Sequence, residues 1–149
     1  MNLHTFNGQE VNWQRLEVFD NFQYSVLDID RTNKVVEVIF KFAANDPIVL
    51  HRHCALNHTF VIQGEHCLYH ADGTLKETRP TGSYTVSPPD TEPHRECGGD
   101  EDTIVLFSIR GTEGTMYEIL DDDQNIIAKF TMDEFEGLYQ AQQASNKAA

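Results

Sequence analysis

The chain has 149 residues, 40% hydrophobic and 23% charged, which suits one folded domain with a core that needs no disulfide staples and excludes a disordered or fibrous chain. A formal net charge of −13 argues against nucleic acid and anionic membrane surfaces as partners. Three cysteines without CxxC spacing, a Met1–Asn7 start without the features of a secretory signal, and no apolar run of bilayer length point to the reducing cytoplasm.

From Trp13 to Phe42 the residues suit strands. Leu16, Val18, Phe19, Phe22, Tyr24, Val26, Leu27 and Ile29 form one apolar run, and Val36, Val38, Phe40 and Phe42 keep a single parity opposite Glu37 and Lys41. Asp30 to Lys34 is turn-like, so a hairpin joins the two runs. Ala44-Asn45-Asp46-Pro47 then breaks the sheet. After a strand over Thr59 to Ile62, Gly64 turns the chain, and Glu65–His70 and Thr74–Thr78 read as strands about Ala71-Asp72-Gly73. His66, Leu68 and His70 share one face of the first of these and Cys67 and Tyr69 the other. Either face can line a cavity, and the surface reading of His66 and His70 carries more weight.

Gly82 opens a strand over Tyr84–Ser87, which Pro88 and Pro89 end because proline cannot donate to a ladder. Glu96 to Asp100 reads as a loop and Thr103–Ile109 as an apolar central strand. Arg110 to Gly114 turns the chain into a hairpin of Tyr117–Leu120 and Asn125–Phe130 about Asp121-Asp122-Asp123. A helix follows over about 132–143, where Thr131-Met132-Asp133-Glu134 fits a capping box, and the last residues fray. Many short strands and one short C-terminal helix give an all-β sandwich or barrel in a single domain, 1–149. Apolar edge strands near the N-terminus predict a homodimer that pairs or packs them.

Six of the seven histidines lie between Ile48 and Gly98. His51 and His53, two apart on a strand, present both imidazoles to one side of a sheet, and His94 is the natural third ligand. Only one of Asn57 and His58 faces the same interior. Arg52 faces away from both ligands. Tyr69 and Tyr84 are candidate substrate-contacting residues. Arg79, Arg95 and Arg110 are within reach of an anionic substrate, with ordinary ion pairs as the stronger reading. Cys54 and Cys97 lie close enough to the histidines to offer a thiolate, although buried inert thiols are the expected state.

The segment from His51-Arg52-His53 through Asn57 to Gly64, and from Gly82 through Pro88-Pro89-Asp90 to His94, resembles the two motifs of the cupin superfamily over roughly residues 35 to 110. The resemblance implies a jelly-roll barrel. Asn57 stands where most metal-binding cupins have glutamate, so the chain looks like the three-histidine subgroup that includes acetylacetone-cleaving and dihydroxyacetophenone dioxygenases. It implies one divalent metal per chain on His51, His53 and His94, with iron(II) favoured and zinc, nickel or copper as alternatives. The implied function is dioxygenase cleavage of a carbon–carbon bond in a small diketone- or aryl-ketone-like molecule. The alternatives are a metal- or ligand-sensing cupin without catalysis, its zinc completed by His58 or a cysteine, and a non-redox isomerase or lyase. No Ser-His-Asp set or phosphate-binding glycine loop stands out.

Overall fold

The computed structural model describes residues 3, 6, 11–17, 19, 21–89, 92–112 and 114–148. Val18 of the first strand-like run, Asp90 and Thr91 of the turn before His94, Glu113 and most of Met1–Asn7 lie outside the described residues.

Two antiparallel sheets face each other. The first has the order β1 (Phe22–Asp30), β2 (Val35–Phe42), β9 (Thr103–Arg110), β4 (Leu56–Gln63), β7 (Tyr84–Ser87). The second has the order β11 (Ile126–Thr131), β10 (Thr115–Leu120), β3 (His51–His53), β8 (His94–Gly98), β5 (His66–His70), β6 (Leu75–Arg79). Strands far apart in sequence are thus neighbours, the jelly-roll pattern that closes a sandwich into a barrel. The expected central strand lies at the centre of its sheet: β9 pairs with β2 and β4. Its inward residues Val105, Phe107 and Ile109 are buried with Val36, Val38 and Val61 of those neighbours.

Two sequence expectations need correction. Glu96, Cys97 and Gly98 form a strand, β8, rather than a loop. Gly98 signals crowding here: a Cβ on it would come within 2.4 Å of the Glu101 carbonyl oxygen, and its N–H donates to Ala43. The C-terminal helix α1 runs over Met132–Ala148, past the expected end near 143. Thr131 and Glu134 close the capping box, the Thr131 N–H donating to the Glu134 carboxylate at 2.8 Å.

Gln142 explains the extra length. Its side chain accepts from the Val26 N–H at 2.9 Å and donates to the Val26 carbonyl at 2.9 Å, standing in for a neighbouring strand on the open edge of β1. Gln14 pairs with Tyr24 further along that edge. The chain therefore covers much of the edge on which the homodimer expectation rested. No described helix is long and apolar enough to cross a membrane.

Candidate metal centre

Strand parity builds the site. On the inner face of the second sheet His51 lies directly across from His94, and His53 across from Tyr117. Glu96, two residues beyond His94 on β8, shares that face, opposite Leu68 of β5. His51, His53, His94 and Glu96 each offer a ligand atom, and these atoms lie within 4.8 Å of one another with all four residues buried. The imidazole centroids are 5.4 Å apart for His51 and His53 and 4.6 Å from each to His94.

The hydrogen bonds decide what the cluster wants. His51 Nδ1 lies 2.9 Å from the Val49 carbonyl, which only accepts, so this nitrogen carries the proton. A neutral ring then turns the Nε2 lone pair toward Glu96 Oε2, 2.9 Å away. Two lone pairs at that distance call for a cation between them, either a proton or a metal. His53 Nε2 and both ring nitrogens of His94 are buried without a hydrogen-bond partner. A neutral imidazole keeps one nitrogen as a free lone pair, and such unpartnered buried nitrogens converging with a carboxylate suit a divalent metal, so the donor set fits the group.

Electrostatics point the same way. Burial, and then neighbouring His94, holds the His53 imidazole well below its ordinary value, and burial followed by His51 lowers His94. Both rings are thereby kept neutral, the form in which an imidazole can bind a metal. Burial alone would raise Glu96, but hydrogen bonds with His51 and His66, and the nearby His94, outweigh it and hold the carboxyl well below the carboxylate range.

Glu96 was hidden in the sequence by its reading as loop. The signal that could have found it is the His94-x-Glu96 alternation continuing the strand parity. His66 corrects a further expectation, for it is fully buried. Its Nε2 donates to Glu96 Oε1 at 3.0 Å, and its ring stacks on Phe42 at 5.5 Å with planes 7° apart. It holds the carboxylate in place from behind. His70 keeps its surface reading, paired with Glu92 at 2.6 Å.

Asn57 faces inward and His58 outward. Asn57 is fully buried, its Oδ1 accepting from the Tyr117 hydroxyl at 3.0 Å and its amide nitrogen donating to Ala55. Burial, and then Glu96, pushes the Tyr117 phenol well above its ordinary range, so it stays a neutral donor beside His53. His58 sits on the outer face with its Nδ1 2.5 Å from the hydroxyl of Tyr84. Tyr84 is 62% exposed, and neither it nor Tyr69 lines the two cavities at the cluster. Tyr69 lies on the outer face of β5, where its hydroxyl meets Cys97. Arg52 faces outward to Glu118 at 2.9 Å, as its parity required. Arg95 pairs with Asp122 and Arg79 with Glu77. Arg110 bonds to Ser108. No cysteine joins the metal cluster found among the described residues.

Among the described residues, an apolar and a polar cavity flank the cluster. One is apolar, lined by Phe19, Phe22, Phe40, Phe42, Tyr117 and Phe135 among others, and reaches His51 and Glu96. The other is polar, lined by Asn57, Thr59, Lys76, Glu77, Arg79 and Ser87, and reaches His53, His94 and Glu96.

Comparison with known proteins agrees with this architecture. A family model described as the ChrR cupin-like domain matches residues 2–112. An RmlC-like cupin protein from Ralstonia eutropha JMP134 superposes with a TM-score of 0.72 at 17% identity, over 97% of this chain and 89% of that one. An acetylacetone dioxygenase from Acinetobacter johnsonii gives 0.69 at 16% identity, over 95% and 94%. A putative acetylacetone dioxygenase from Methylibium petroleiphilum PM1 gives 0.67 at 14%, over 93% and 95%. At such identities the likeness establishes the shared fold. No curated protein matches the sequence.

Proposed function

Because the chain belongs to the ChrR cupin-like domain family and gathers three imidazoles and a carboxylate at one buried point, we propose that it is a metal-dependent cupin enzyme. Within that reading it is a cytoplasmic non-haem iron dioxygenase that cleaves a carbon–carbon bond in a small diketone- or aryl-ketone-like substrate. The carrying observation is the 2.9 Å contact of His51 Nε2 with Glu96 Oε2, which a proton or a metal has to bridge because the other His51 nitrogen is committed to Val49.

His51, His53, His94 and Glu96 are the ligands this reading assigns. Two histidines and a carboxylate with a further imidazole suit iron(II), while imidazole also accommodates zinc, nickel and copper. Bound iron(II) supplies the one-electron chemistry that reaction with dioxygen requires. The chain's own groups do the rest. His66 fixes the Glu96 carboxylate, and Tyr117 keeps a proton at Oη beside His53 and shares it with Asn57. The apolar walls exclude water from the His51 side, which strengthens the electrostatics of the cluster.

A polar cavity against His53 and His94 favours catalysis, since a substrate has a compartment to enter. Four protein donors favour the rival, a closed module that binds metal without turnover. The deciding experiment is elemental analysis of protein purified without a metal-binding tag, followed by oxygen uptake with β-diketones and aryl ketones after iron(II) reconstitution. Near-stoichiometric metal with substrate-dependent uptake is the expected result. Tightly held zinc with no uptake would replace the dioxygenase by the binding module, and no retained metal would remove the enzyme reading. A homodimer, in this proposal, buries the exposed Phe60, Tyr84 and Val86 on the outer β4–β7 face, and sedimentation velocity reads its mass.

A further inference from the structure

The polar cavity contains a cation that the metal centre does not use. Arg79 lies directly across from His66 at the end of β6, so its side chain enters the barrel on the face that carries the cluster. The side chain is 12% exposed. Nη2 donates to one Glu77 oxygen at 3.1 Å and Nη1 to Thr85 Oγ1 at 3.2 Å, while Nε is buried with no acceptor. A guanidinium offers Nε and Nη2 as one side-on fork that matches the two oxygens of a carboxylate. Here half of that fork is unmet, and a buried charged donor left without an acceptor is costly.

The charges around the cavity have the right sign for an anion. Lys76, 3.9 Å from Glu92, lines the same wall as Arg79, and the facing carboxylates are Glu77 and Glu96. With Glu92 counted, Arg79 and Lys76 face three carboxylates, and a divalent ion on the cluster turns this group of charges net positive within a chain of net charge −13. The hydroxyls of Thr59 and Thr85, hydrogen-bonded to each other, complete a polar wall beside the guanidinium.

We infer that Arg79 is a substrate-binding residue for a carboxylate, so that the natural substrate is a small oxo acid whose carbonyl end faces His53 and His94 and whose acid end engages the Arg79 fork. This rests on the proposed metal-dependent enzyme and specifies its substrate class. Glu77 competes with the substrate for the same fork and tunes its affinity.

The test is calorimetric titration of the zinc-loaded protein, which is redox-silent, with two probes. Acetylacetone and 2,4-dioxopentanoate share a β-dicarbonyl, and the second adds a carboxylate. The wild type is expected to bind 2,4-dioxopentanoate at least about tenfold more tightly, the scale of one charge-assisted hydrogen bond. Arg79→Gln should erase that preference with acetylacetone affinity and zinc content unchanged. Glu77→Gln should increase it, an opposite sign that loss of folding cannot produce. Equal affinity of the wild type for both probes, or a preference that survives Arg79→Gln, overturns the inference. Zinc content of the same samples separates the two readings. A chain that retains no zinc removes the metal centre, and the carboxylate preference must then persist in the metal-free wild type and vanish in Arg79→Gln for the inference to stand.

Discussion

The apolar and polar cavities meet at Glu96 and Phe107, which line both, and they are built for different work. On the His51 side the walls are interlocked aromatic rings. Phe42 lies within 6.4 Å of Phe22, Phe40 and Phe107, and helix α1 adds Phe135 against Tyr117. On the His53 side the walls carry Lys76, Glu77, Arg79 and Thr59. The contrast teaches how a cluster of titratable groups survives inside a barrel. The aromatic side supplies the stability and the low dielectric, and the polar side supplies access and a place for charge.

The largest expected effect lies on the apolar side. Phe42→Ala removes a ring that is 2% exposed and stacked on His66. It should cost about 3–5 kcal/mol in a urea titration, and it should loosen metal binding because His66 loses its platform. A loss below about 1 kcal/mol would mean that the aromatic side does not carry the fold. Next comes Glu96→Gln, which keeps the shape of the side chain and removes its charge. Metal affinity by competitive chelation should fall on the order of 100-fold, since a ligand loss should match or exceed the 10–100-fold cost of losing a ligand's supporting partner. Unchanged affinity would leave the three histidines as the whole site.

The metal-free protein should also lose stability as pH falls. His53 and His94 are depressed in the fold, so below about 6.5 the unfolded chain takes up protons that the folded chain refuses. Their contribution is complete above the unfolded value and is lost as pH drops toward the folded ones. Glu96, also depressed, extends the loss below about 4.5. Denaturation midpoints at pH 8, 6.5 and 5 should therefore decline in that order, and a flat series would contradict the buried neutral imidazoles. The smallest effect belongs outside the barrel. His58→Ala should change stability by no more than about 0.5 kcal/mol and leave metal content intact, because His58 meets exposed Tyr84 on the outer face.

Much of this comparison was legible before the fold was known, wherever parity was local. His51 and His53 had to share a face, Arg52 had to oppose them, and alternation allowed only one of Asn57 and His58 inside, with the cupin-like spacing to Gly64 favouring Asn57. Thr103–Ile109 announced itself as central through a strongly apolar run that only Ser108 interrupts after Ile104. Glu96 and His66 were not legible for different reasons. Glu96 preceded two glycines and an acidic stretch that mimic a loop, and the crowding at Gly98 that requires glycine comes from Ala43 and Glu101, brought together only by the fold. His66 sat on a strand whose two faces are equally mixed, so nothing local said which face was inside.

The sequence by itself determined most of the strands, the shared face of His51 and His53, and the capped start of the C-terminal helix, because each depends on residues a few positions apart; His94, far along the chain, was named by its place in the cupin-like motif. Only the tertiary structure decided that β8 continues through Glu96, that His66 supports the carboxylate, that Arg79 enters the same interior and that Gln142 covers the edge of β1. Each of these depends on a pairing between distant segments, and a pairing partner sets which of two strand faces is buried. The period of two is written in the chain, but its phase relative to the core is fixed by the sheet.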